Sequence, residues 1–99
     1  MDLMSPIRRK KLEVIRKKLD KLDNSLLSII KKRTLLVNEV VKLKKFKKEI
    51  VDKKRIRVIL TKIRKKSIQK KIDPSITNRI WKNMIWSYIN YERKNFNKK

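Results

Sequence analysis

The stretch LEVIRKKLDKLDNSLLSIIKKRTLLVNEVVKLKKF, residues 12–46, decides the fold. Its apolar side chains fall at Leu12, Ile15, Leu19, Leu22, Leu26, Ile29, Leu36, Val40 and Leu43, in steps that alternate three and four. That alternation keeps a single stripe on one side of a helix and is the seam of a coiled coil. Just upstream, Ser5 is placed to cap the helix and Pro6 to occupy its first turn, where a missing N–H costs nothing. A helix from Pro6 to about Phe46 is therefore predicted, about 60 Å long. So long a stripe cannot be buried by one small chain. It must lie against a copy of itself or stand unsupported.

Working outward, Lys45 to Val51 reads as a charged connection. Asp52 can cap a second helix that runs to about Lys70, with Val58, Ile59 and Ile63 as its apolar side. Asp73-Pro74 repeats the signal of a cap followed by proline, and a third helix should run from Pro74 to about Phe96. Its apolar residues are Ile76, Ile80, Trp81, Met84, Ile85, Tyr88 and Ile89, and Asn95 to Lys99 should fray. With no Gly and two Pro, the chain lacks the residues of tight hairpins, which argues against a sheet. No internal repeat or flexible linker is evident. The expectation is an all-α protein of three helices, a single domain over residues 1–99.

A chain of 99 residues buries too little surface to be comfortable alone. With no Cys and no His it has neither a disulfide nor an ordinary zinc site, so oligomerisation is the expected remedy. No apolar run approaches the length needed to span a membrane. Met1 to Lys11 has charges but no apolar core of a secretory signal, which makes the cytosol the expected location. The balance of 32 Lys and Arg against 9 Asp and Glu, a net charge of +23, brings nucleic acid to mind as a partner. An AT-rich coding sequence would produce the same lysine bias on any fold. The charge alone favours anionic ligands of some kind and decides no more.

Arg33 and Glu92 carry charge where an apolar residue is due, and two more cations, Lys44 and Arg16, bear on them. Between Ile29 and Leu36 the alternation demands an apolar side chain at position 33, and Arg33 stands there. A buried cation left without its partner costs roughly 3–5 kcal/mol, so Arg33 needs an anion: a ligand, or a structural ion pair in the seam. Lys44 lies eleven residues further on and returns to nearly the same face, although Lys42, Lys45, Lys47 and Lys48 around it suggest plain surface. Arg16 precedes Arg33 by seventeen residues, about 25 Å of helix, so the two can share a ligand only across chains. On the third helix Trp81, Ile85 and Tyr88 form a stripe whose next step is Glu92, the helix's one acid. Glu92 could be a surface pairing partner or a carboxyl lining the same pocket as Arg33 and Lys44, with Tyr88 beside it. Without His, Cys or Gly there is no Ser-His or Cys-His pair and no Gly-rich phosphate loop. An enzyme built from these residues would work by positioned charge.

The run Ile15-Arg16 to Leu22-Asp23, followed by Leu26-Leu27 to Arg33 and then Lys44, resembles the opening of the all-α dimeric chorismate mutases. Asp52 and Arg55 resemble the Asp and Arg that open that family's second helix. Asp73-Pro74 and Ile80-Trp81 resemble the start of its third, and Glu92 falls where the family has Gln or Glu. The resemblance covers about residues 12 to 96. It implies three helices per chain interlocked in an intertwined homodimer, with Arg16 crossing from one protomer while Arg33, Lys44, Arg55 and Glu92 come from the other. It implies the rearrangement of chorismate, a small dianion, to prephenate in aromatic amino acid biosynthesis, with no cofactor and no metal. Arg16 and Arg33 would hold the two carboxylates, and Lys44 with Glu92 would stabilise charge on the breaking ether oxygen. Asp52, Arg55 and Tyr88 complete the expected substrate contacts.

Two departures bear on the substrate. Ile56 stands where the family usually has a Glu that meets the substrate hydroxyl, and Tyr88 replaces a small hydroxyl residue. Both, with the stretch Met84-Ile85-Trp86-Ser87-Tyr88-Ile89, resemble the isochorismate-pyruvate lyase branch of the same fold. A basic helical dimer that binds nucleic acid is the alternative of another class. It gives no reason to place Arg33 inside the seam.

Overall fold

The computed structural model describes residues 5–96. They form three α-helices, α1 (Pro6–Leu43), α2 (Lys53–Gln69) and α3 (Pro74–Asn95), with a short 3-10 turn at Lys47–Ile50 between α1 and α2. Among the described residues there is no strand, and no helix is long and apolar enough to cross a membrane. The fold is all-α. The expectations about a secretory signal and about tail fraying fall partly on residues 1–4 and 97–99, outside the described residues. The chain divides into two compact units, Met1–Leu36 and Val37–Lys99.

The described part of the first unit is one helix with its N-cap. Ser5 caps it as expected: its side-chain oxygen accepts the amide of Arg8 at 3.2 Å, and its carbonyl accepts the amide of Arg9 at 2.9 Å. Within the helix the hydroxyls of Ser25, Ser28 and Thr34 donate to carbonyls one turn back, so these polar residues interrupt nothing. No residue from 5 to 36 is buried. Along the stripe Ile15, Leu19, Leu22, Leu26, Ile29 and Leu36 are 52–65% exposed within the chain.

The second unit has a core of its own. Ile50, Ile85 and Ile89 are buried together, with Val51, Ile56, Ile59, Leu60 and Phe96 packed against them. Three expectations need correction here. α1 ends at Leu43, three residues short of Phe46. Beyond it the Lys44 amide bonds the Val41 carbonyl in a tightened turn, and the Glu49 carboxylate accepts the Lys45 amide at 3.1 Å. That side chain takes over a donor that continued helix would have used. The segment Lys45 to Val51 is more than a charged connection, since it supplies Ile50, 3% exposed, to the core. On α2 the inward side is Ile56, Ile59, Leu60 and Ile63 rather than Val58, which is 41% exposed. Val58 lies about 100° around the helix from Ile59, out of the apolar face.

The caps of α2 and α3 are those the sequence announces. Asp52 accepts the Arg55 amide at 2.9 Å, and Asp73 accepts the Ser75 amide at 2.9 Å ahead of Pro74. The Ser75 backbone N–H, and then the Ser75 side chain, hold the Asp73 carboxyl below its ordinary value. A depressed folded-state pKa means that this cap contributes above the ordinary carboxylate range and is lost as pH falls through the folded value. α2 closes without glycine. The Ile72 amide bonds the Ser67 carbonyl and the Lys71 amide bonds that of Ile68, the two bonds of a Schellman motif. Lys71 occupies the left-handed position with φ 58°. Buried hydroxyls then tie α2 to α3, with Ser67 and Thr77 at 2.7 Å.

Candidate active site

The described residues contain no group of three His, Cys, Asp or Glu side chains that could hold a metal. Their main buried charge is a pair. Lys44, one residue past the end of α1, donates from Nζ to Glu92 Oε1 on α3 at 2.9 Å. The two side chains are 18% and 9% exposed. The residues by themselves left Lys44 and Glu92 each open between plain surface and a shared pocket, and the resemblance placed both at the ether oxygen. The structure brings the two together, and it encloses Glu92 beside the core residue Ile89 on α3. The stripe Trp81, Ile85, Tyr88 that leads to Glu92 explains why: Ile85 is buried, and Trp81 and Tyr88 are half-buried on the same helix. Carrying an ion pair into such a place is costly unless its bonds are made, and no buried side-chain polar atom among the described residues lacks a partner. An ammonium has three donors, and the bond to Glu92 uses one.

The other expected site residues stand as follows. Tyr88 lies one turn before Glu92 and meets Tyr91 edge to face, ring centroids 6.3 Å apart at 89°. Asp52 is exposed, and its Oδ1 is engaged locally as the cap of α2. Arg55, whose amide that cap accepts, is exposed. On the first unit Arg16 is exposed, whereas Arg33 is half-buried. Ile56 packs against the Ile50, Ile85 and Ile89 cluster and brings no polar group.

One contact at this site escaped the sequence reading. The Tyr91 hydroxyl donates to Asn38 Oδ1 at 2.6 Å, joining α3 to the final turns of α1. A signal for Tyr91 was present, since it precedes Glu92 and follows Tyr88 by three residues, on the adjoining face of α3. Nothing local marks Asn38, an ordinary polar residue between Val37 and Glu39.

A cation held against a carboxyl at the edge of an apolar core, without nucleophile or metal, can polarise an oxygen or stabilise charge that develops on one. Comparison with known proteins agrees in kind. No curated protein and no solved structure gives a significant match. Residues 15–93 match the family model described as chorismate mutase type II. The match covers most of the chain, from the residue before Arg16 to the residue after Glu92, and the chain belongs to the chorismate mutase type II family.

Proposed function

We propose that this protein is a chorismate mutase, converting chorismate to prephenate as an intertwined homodimer in which residues 1–99 act as one helical domain. The observation that carries the reading is the enclosed Lys44–Glu92 pair, inside the stretch that matches the family. The reaction is an intramolecular rearrangement, so the protein's task is to hold the reactive conformer and stabilise charge on the breaking ether oxygen. Lys44 acts there as a donor, and Glu92 aligns it or donates beside it. Arg33 holds one substrate carboxylate from the same protomer as Lys44. Arg16 holds the other from the partner, because about 25 Å of helix separates it from Arg33. Asp52, Arg55 and Tyr88 complete the substrate contacts. No cofactor or metal takes part. The exposed stripe of α1 is the surface that a second copy covers.

One observation favours a second reading, isochorismate-pyruvate lyase. Ile56 is committed to the core where the mutases usually place a Glu for the substrate hydroxyl. A nucleic-acid reading also has an observation on its side. α2 carries eight Lys or Arg among its 17 residues and no acid. It gives no account of a lysine enclosed against Glu92. Incubating the pure protein with chorismate and, separately, with isochorismate and identifying the products decides among the three. Prephenate from chorismate is the expected result. Salicylate and pyruvate from isochorismate alone overturn the mutase reading for the lyase, and no turnover of either overturns both.

A further inference from the structure

Lys44 has no helix of its own to stand on. α1 ends at Leu43, and the Lys44 amide is tied only by the tightened turn to Val41 at 3.2 Å. Its ammonium rides on a flexible four-carbon stem, so where Nζ sits depends on how firmly the end of α1 is held against α3. Side-chain bonds join these elements, among them Lys44 to Glu92 and Asn38 to Tyr91. Asn38, the buried Val41 and Lys44 follow one another at steps of three, and Tyr91 and Glu92 are neighbours on α3. The Tyr91 hydroxyl reaches Asn38 at 2.6 Å, at the short end for such bonds, and its ring is braced edge-on by Tyr88. The bond is therefore aimed as well as made.

We infer that Tyr91 and Asn38 are positioning residues: their bond sets the place of the α1 end on α3 and thereby aims Lys44 at the reacting oxygen. The inference rests on the mutase reading above. Both residues are half-buried, so water can satisfy an abandoned Asn38 amide and the fold survives loss of the bond. Alignment does not, and a misplacement of about 1 Å can cost up to about a hundredfold in rate.

The test uses the full chain with Tyr91→Phe, Asn38→Leu, Asn38→Asp and the double variant Tyr91→Phe/Asn38→Leu. Steady-state kinetics on chorismate are measured beside thermal unfolding. Tyr91→Phe and Asn38→Leu are each expected to lower kcat about tenfold with KM within about twofold, since only alignment in the transition state is lost. Asn38→Asp keeps a wild-type kcat, because a carboxylate accepts the same hydroxyl. The double variant is no slower than the slower single one, as for two partners in one bond. Unchanged kcat in both single variants, losses that multiply in the double, or a rise in KM alone overturns the inference. A wild-type protein that turns over neither chorismate nor isochorismate overturns the mutase reading instead. Positioning is then read from the Lys44 ammonium signal in the 15N-lysine-labelled chain, assigned by its loss in Lys44→Met. Tyr91→Phe is expected to shift that signal and Asn38→Asp to leave it in place. A signal unmoved by Tyr91→Phe overturns the inference.

Discussion

Residues 5–36 and residues 37–96 are both built from amphipathic helix, yet they treat their apolar side chains in opposite ways. In the first, six residues of a regular seam are each more than half exposed and nothing is buried. In the second, Val41, Ile50, Ile85 and Ile89 are buried, together with Ser67, Thr77 and Glu92. Two helices joined by a short turn can cover each other, as α2 and α3 do with Ile50 from the α1–α2 connection packed between them. A helix of 38 residues has more stripe than this small second unit could cover. The dimer reading thus assigns folding within the chain and folding between chains to different regions of the same sequence. On the dimer reading, the second unit brings its own stability and the first borrows it.

The largest expected effect comes from charging the seam. Leu22→Glu with Leu26→Glu should abolish the dimer and most α1 helicity, seen as a monomer in sedimentation and a reduced far-UV helical signal. Ile85→Ala should instead cost about 2–5 kcal/mol of unfolding free energy and leave the assembly in place at concentrations where the protein is folded. If the seam variant remains a fully helical dimer, the division of labour between the two regions is wrong.

Next comes the cation inside the seam. Arg33→Ala should lower activity by about a thousandfold while the dimer stays folded, because its apolar neighbours tolerate a small residue. Arg16→Ala should be as inactive. Mixed under subunit exchange, the two variants should recover about a quarter of wild-type activity, since half the dimers are hybrids with one intact site of two. Absence of recovery with exchange demonstrated contradicts a site shared between protomers. Loss of helicity and dimer in Arg33→Ala makes that residue a structural ion-pair partner.

A subtler change tests the enclosed pair in the second unit. Only a protonated carboxyl can donate a hydrogen bond, whereas an amide donates at every pH. Glu92→Gln should therefore keep mutase activity, measured as kcat and KM of both proteins on chorismate. An inactive variant removes Glu92 from the donor role and leaves it as the anchor of Lys44. The smallest effect is conformational. Lys71 holds a left-handed φ of 58° that a Cβ disfavours, so Lys71→Gly should stabilise the second unit by about 1 kcal/mol in denaturant titrations. A destabilised variant would show that the lysine side chain contributes more than its backbone strain costs.

The helices, their caps at Ser5, Asp52 and Asp73, and the seam of α1 were legible in the sequence because each depends on residues within about a turn or two of one another. The family was legible for a related reason, since the spacings from Arg16 through Lys44 repeat a pattern along one helix. What a local pattern cannot express is which distant side chains meet. Glu92 and Lys44 are 48 positions apart, and Tyr91 and Asn38 are 53. Whether a lysine among lysines is enclosed or solvated depends on how α3 packs beside the end of α1. The same holds for Ile50, whose burial is invisible amid charged neighbours, and for Val58, which β-branching and hydrophobicity recommend for a core that the turn of the helix directs it away from. Sequence determined the elements, their N-terminal caps and the apolar seam of α1, because backbone hydrogen bonding and helical periodicity are short-ranged. Tertiary structure decided the direct contact of Lys44 with Glu92, which the sequence offered only as one of two readings, and alone supplied the Tyr91–Asn38 bond beside it, because packing joins residues that the chain keeps far apart.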